Sequence, residues 1–174
     1  MCIIGLPPDF DFTNFGEFLD YLKVVPYEGV LKPRIASAIK YFNDHGITKI
    51  AGIGFCWGGW VLAEASLDFP IVCGVSPHPS FRLADATGGS STDLITKVKT
   101  PFLLLPAGND PENLKEGGEL AVILKANNPL SETSNDFEDQ QHGFAIRGDT
   151  ADEAVKVKVE LAFKKIYAYV AKFF

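Results

Sequence analysis

The chain has 174 residues, 47% of them hydrophobic and 22% charged, and its 16 Lys and Arg against 22 Asp and Glu give a formal net charge of −6. That size suits one domain with a single core, and the acidic balance argues against nucleic acid or an anionic membrane as partner, since both require a basic face. No apolar run approaches a membrane span, the N-terminus lacks the basic-then-apolar layout of a signal peptide, and three cysteines do not make a disulfide framework. The expected setting is cytoplasmic, with free thiols.

Short apolar runs alternate with longer helical patterns, which predicts an α/β fold with a mostly parallel sheet. Residues 2–6 (CIIGL) read as a first strand stopped by Pro7 and Pro8, and "FGEFLDYL" as a short helix. A second helix opens near Pro33, with Ile35, Ile39 and Phe42 at helical spacing and Gly46 ending it. Strand 48–55 runs into a helix over 57–68. "PIVCGVS" reads as a strand, the segment through "ATGGSST" as a polar loop, and "TPFLLLPAG" as another strand. A helix is expected over 112–126, a short strand in "ETSNDFED", and a closing helix over 150–173 whose Val155, Val159, Ala162, Phe163 and Ile166 share one face. The whole chain, 1–174, reads as one domain.

The chemistry concentrates in "GIGFCWGG". A dinucleotide fingerprint would require its third glycine at the position of Trp57, and a phosphate-binding loop would require a Lys-Ser/Thr pair after the glycines. The pattern that fits is G-x-S-x-G with cysteine in place of serine, Gly54-Phe55-Cys56-Trp57-Gly58. It displays a nucleophile on a strained strand-to-helix turn, where Gly54 and Gly58 let strand and helix pass closely. Trp57 turns its side chain away and offers its backbone N–H to an oxyanion. The helix beginning there favours the thiolate. The alternative for Cys56 is a small buried hydrophobe; Cys73, inside an apolar strand, reads as structural, and Cys2 carries no signal.

Such an elbow takes its partners in the order nucleophile, acid, histidine. His45 ends a helix and suits a cap. His78, in "SPHPS", borders the site but precedes every plausible acid. His142, in "EDQQHGF", fits the order. Asp110 closes "PFLLLPAGND" at the carboxyl end of a strand, where active-site loops gather; Asp136, Asp139 and Asp149 read as exposed turn residues.

With "GFCWGG", "AGND" and the late "HGF" in place, the chain from about Lys49 to its C-terminus, and more weakly back to "LPPDF", resembles the dienelactone hydrolase family of α/β-hydrolases. The resemblance implies carboxymethylenebutenolidase-like hydrolysis of a small-molecule lactone or ester, with no metal and no organic cofactor. It implies Cys56 as nucleophile, His142 as base and then acid, Asp110 as the orienting group, and the Trp57 N–H in the oxyanion hole. Arg147 and Arg82 are the candidates for holding a substrate carboxylate, and Phe144, Trp57 and His78 for bordering the pocket. Family members carry further strands ahead of the segment resembling "IIGLPPDF". The expectation is therefore a truncated gene model, a fragment or a diverged short form, partial at its N-terminus. It would lack the loop that donates the second oxyanion N–H and the family's glutamate against the thiol, and its open strand edge would invite association. The rival readings are a non-catalytic binding or scaffold protein that keeps the elbow as a relic, a thiol redox sensor, and a nucleotide-binding protein. The physiological substrate and the oligomeric state stay open.

Overall fold

The computed structural model describes residues 15–174; the strand expected at 2–6 and Cys2 lie outside them. Helix α1 (Phe15–Val24) is followed by a π-helical turn (Tyr27–Leu31) and α2 (Lys32–Asp44), which opens with Pro33 in its first turn. Strand β1 (Ile50–Ile53) leads through the cysteine turn into α3 (Trp57–Asp68), and β2 (Ile71–Pro77) follows. Two short helices come next, α4 (Leu83–Ala86) and α5 (Ser91–Lys97), then β3 (Phe102–Leu105). A 3-10 turn (Glu112–Leu114), α6 (Glu119–Asn127) and the two-residue β4 (Glu132–Thr133) precede α7 (Phe144–Arg147) and the closing α8 (Glu153–Val170).

Among the described residues the sheet is parallel, in the order β1-β2-β3-β4. Side chains alternate across its faces with the period of two that a strand imposes. Phe102 and Leu104 enter one core with Trp60, Leu62 and Leu120, whereas Leu103 and Leu105 enter the other with Cys73, Val75 and, from α8, Ile166. Helices thus cover both faces, as the apolar runs of β2 and β3 demand of a parallel sheet. Helix α3 is buried on several sides, with Gly59, Trp60, Leu62, Ala63 and Ala65 all enclosed. Among the described residues β1 is an edge strand, and its Ile53 is exposed.

Several elements differ from expectation for identifiable reasons. The helix expected over 112–126 is interrupted because Gly117 takes a left-handed φ of 81°, turning the chain between the 3-10 turn and α6. The polar "GGSST" segment holds α5, capped by the Ser90 side chain on the Asp93 N–H and anchored by buried Leu94 and Ile95. On α2 only Ile39 of the expected stripe is fully enclosed, and Phe42 is exposed. On α8 the expected stripe turns inward, with Ala162 and Ile166 fully buried.

Among the described residues every strand points its carboxyl end the same way. The segments after β1, β2, β3 and β4 therefore meet at one edge of the sheet.

Candidate active site

Cys56 stands between β1 and α3 with φ at 52°, a positive value rare for a residue bearing a Cβ. Its N–H donates to the Pro77 carbonyl at 3.3 Å, and its own carbonyl accepts from the Ser80 N–H at 3.1 Å and the Gly59 N–H at 3.0 Å. Those bonds fasten the turn to the loop after β2. A Cβ on Gly54 would collide with the Gly58 carbonyl, so strand and helix do pass too closely for a side chain there. The second tight position is not Gly58, where a Cβ would meet nothing, but Gly59, where it would strike the Ser76 hydroxyl. Trp57 turns its ring away, edge-on to Tyr21 at 6.2 Å between centroids, and packs against the first core. It does not wall the site.

The loop after β3 and the segment after β4 bring two more side chains to this turn. His142 Nε2 lies 3.0 Å from Cys56 Sγ, and His142 Nδ1 lies 2.6 Å from Asp110 Oδ1. The Asp110 side chain is 2% exposed and its second oxygen accepts the Ala107 N–H at 2.7 Å, so the carboxylate is fixed before it meets the imidazole. Nδ1 then donates to Asp110, which leaves Nε2 facing the sulfur.

These contacts set the charges. Burial opposes a thiolate at Cys56, but hydrogen bonds from His142 and Ser80, the imidazolium charge and the Trp57 N–H outweigh it and hold the thiol below its ordinary value. Burial likewise opposes a charged His142, yet the hydrogen bonds to Asp110 and Cys56 push it up to about 9. Both shifts favour the thiolate–imidazolium form of the pair. Cys73 has no such company, and burial alone pushes its thiol up to about 11.

Of the other residues singled out in the sequence, His78 is fully buried with its ring 5.0 Å from that of His142, centroid to centroid, at 64°. Burial, then the His142 charge, pull it down to about 4, so it is a neutral ring behind the base. Phe144 is buried, stacked on Phe137 at 4.9 Å, and borders the same cavity as His142. Arg147 is exposed and folds over Gly143, lining with His142 a cavity of about 280 Å³. Arg82 is exposed at the N-terminal end of α4. His45 caps α2 through Nδ1 to the Tyr41 carbonyl at 2.7 Å. Asp136 and Asp139 pair with Lys165 and Lys158 of α8.

Two further residues also reach the site. Ser80 Oγ lies 3.6 Å from Cys56 Sγ, and Asn109 Oδ1 accepts the His142 backbone N–H at 2.6 Å. Asn109 was open to inference as the neighbour of Asp110, whereas nothing around Ser80 announced its place.

A larger cavity of about 1090 Å³, between α1, α3 and α5, is lined by Leu22, Tyr27, Trp60, Glu64 and Lys97 and contains none of Cys56, Asp110 or His142. Among the described residues no group of three or more His, Cys, Asp or Glu is placed to hold a metal ion, and no helix is long and apolar enough to cross a membrane.

Over 89 residues the chain is 30% identical to a protein of Saccharolobus solfataricus named "Putative carboxymethylenebutenolidase", a match covering 48% of this chain and 30% of that protein. No solved structure matches the chain. The model of the dienelactone hydrolase family matches residues 23–174, a span that holds the cysteine turn, the loop after β3 and the histidine segment together. By that match and by its parallel, helix-covered sheet, this chain belongs to the dienelactone hydrolase family.

Proposed function

We propose that the chain is a cysteine-dependent hydrolase that opens lactones or cleaves small esters, with Cys56 as nucleophile, His142 as proton carrier and Asp110 as the group that orients it. One observation carries the reading: a single line of contacts, Asp110 Oδ1 to His142 Nδ1 at 2.6 Å and His142 Nε2 to Cys56 Sγ at 3.0 Å, on a turn strained to positive φ. The family match supports the reaction class.

In the resting site the thiol proton sits on His142, so the nucleophile is already a thiolate. Its electron pair attacks the acyl carbon, and the carbonyl electrons move to oxygen, where the Trp57 N–H donates to the oxyanion. Collapse of that intermediate breaks the carbon–oxygen bond, and the departing alkoxide takes the Nε2 proton. A thioester on Cys56 remains. Water then attacks it, giving a proton to Nε2, and the second collapse expels the thiolate and releases the acid. For a lactone both groups leave in one molecule, a hydroxy acid.

The test is turnover of an activated ester and of a dienelactone by wild type, Cys56→Ala and His142→Ala. Each substitution is expected to lower kcat by at least about 10³-fold, as removal of a member of such a triad does. Equal rates for the three proteins would remove the hydrolase reading.

A further inference from the structure

The loop that follows β2, His78-Pro79-Ser80, is buried along its length and adopts a shape that side chains resist. His78 has φ at 38°, one of two positive-φ residues other than glycine among those described, and the other is Cys56. Three backbone bonds hold the loop: the His78 N–H to the Leu105 carbonyl at 2.8 Å, the Cys56 N–H to the Pro77 carbonyl, and the Ser80 N–H to the Cys56 carbonyl. Two strained residues are thus tied to one another's segments. The consequence lies at Ser80. Its side chain comes back against the nucleophile, with Oγ 3.6 Å from Sγ, within reach of a hydrogen bond to sulfur.

A buried hydroxyl takes a partner, and a serine enclosed beside a turn ordinarily takes a backbone carbonyl. Ser80 is 7% exposed, and its hydroxyl lies in hydrogen-bond contact with the reacting sulfur. While Cys56 keeps its proton, either atom can donate. Once the proton has moved to His142, the sulfur has only lone pairs to offer, and Ser80 is the donor. We propose that Ser80 is a further catalytic residue of this site, its O–H donating to the Cys56 thiolate, both as the standing nucleophile and as the leaving group when the thioester collapses.

The proposal rests on the reading of Cys56 as nucleophile. The titratable group facing the sulfur is His142, with Asp110 behind it; the neutral His78, from the same loop as Ser80, packs against the His142 ring and feels the charges of Asp110 and Arg147, and α3 contributes the Trp57 N–H. His142 carries most of the thiolate's stabilisation, because it adds a full charge to its hydrogen bond. Loss of the Ser80 hydroxyl weakens the thiolate without abolishing it.

The experiment is the rate of alkylation of Cys56 by iodoacetamide against pH, read by mass spectrometry so that Cys56 is followed apart from Cys2 and Cys73. It is run on wild type, Ser80→Ala, Ser80→Thr and His142→Asn. Ser80→Ala is expected to raise the midpoint by about half to one pH unit, which multiplies the needed hydroxide about three- to tenfold. Ser80→Thr, which keeps a hydroxyl, is expected to stay within about 0.3 unit of wild type on the same scale. Ser80→Gly carries the expectation if the alanine variant does not fold. An unchanged midpoint in a folded Ser80→Ala overturns the proposal. So does an equal rise in Ala and Thr, which would make packing the cause. His142→Asn reports separately: if its midpoint matches wild type, the Cys56–His142 reading fails, whatever Ser80 does.

Discussion

Asn109 and His142 are joined by a 2.6 Å hydrogen bond from the His142 backbone N–H to the Asn109 side-chain oxygen. The next residue, Asp110, takes the ring of the same histidine. One loop thus holds the base at two points, the main chain through a neutral amide and the imidazole through a carboxylate. The two holds differ in what they supply. Asp110 selects the tautomer and stabilises the imidazolium, so Asp110→Asn is expected to lower kcat about 10³–10⁴-fold. Asn109→Ala leaves that charge in place and loosens only the position of the loop, with an expected loss of about tenfold and little change in the pH profile. Steady-state kinetics on the two variants check the ranking; an Asn109→Ala loss as large as that of Asp110→Asn would contradict it.

Because the thiol is held below its ordinary value and His142 is pushed up to about 9, the ion pair exists in a window between the two. As pH falls, the thiolate takes a proton and the rate drops. As pH rises through about 9, His142 loses the proton that the leaving alkoxide requires, and the rate drops again. A bell-shaped kcat/KM with its basic limb near 9 is the expected profile. Asp110→Asn removes a contact that raises the imidazole, so its basic limb moves to lower pH. The two limbs belong to the coupled pair and not to single residues. A profile flat from neutrality to beyond pH 10 would contradict the ion pair.

What could be read from the sequence follows from how local each signal is. Helix α3 over 57–68 and the strand stretches of β2 and β3 were visible because glycine, apolar runs and spacing are local features. Cys56, Asp110 and His142 were singled out by motif and chain order, and the fold brings all three within hydrogen-bond distance. Ser80 was not visible. Its place depends on a strained loop packing onto a turn 24 residues earlier, and no pattern within "SPHPS" encodes that approach. The tight glycine was misplaced by one residue for a similar reason. The spacing rule names Gly58, but the neighbour that leaves no room is Ser76, from the adjacent strand β2, and it faces Gly59. Helix α5 was hidden because its composition is that of a loop, and its buried Leu94 and Ile95 form too short a stripe to show a period.

The glycine assignment has its own test. Gly59→Ala puts a methyl group onto the Ser76 hydroxyl, which donates to the Gly54 carbonyl at 2.9 Å under the cysteine turn. The expected cost is about 1–3 kcal/mol, the range for overpacking, or a fall in Tm of roughly 2–12 °C for a chain of this size. Gly58→Ala meets open space in a helix and is expected to be neutral or to stabilise by up to about 1 kcal/mol. Thermal denaturation of the pair decides between them, and a larger loss at Gly58 than at Gly59 would contradict the packing.

His78 gives the protein a stability that depends on pH. Its ring is fully buried, and among the described residues neither nitrogen has a hydrogen-bond partner. Burial first, and then the positive charge on His142, pull it down from 6.5 to about 4. Above about pH 6.5 the ring is neutral in the folded and unfolded chains alike, and its titration contributes nothing. Between about 6.5 and 4 the unfolded chain binds the proton and the folded chain does not, so stability falls as pH falls, by up to about 3 kcal/mol. His78→Phe keeps an aromatic ring at the same position and removes the titration. The carboxylates paired with lysines, Asp68, Asp136 and Asp139, lose their own stabilisation on further acidification, but they do so in both proteins and cancel in the comparison. The difference in unfolding free energy between His78→Phe and wild type is therefore expected to be constant above pH 7 and to shift toward the variant between pH 6.5 and 4. Denaturant unfolding across that range measures it. Parallel curves for the two proteins would mean that His78 is charged inside the fold, and the neutral ring behind the base would have to be abandoned.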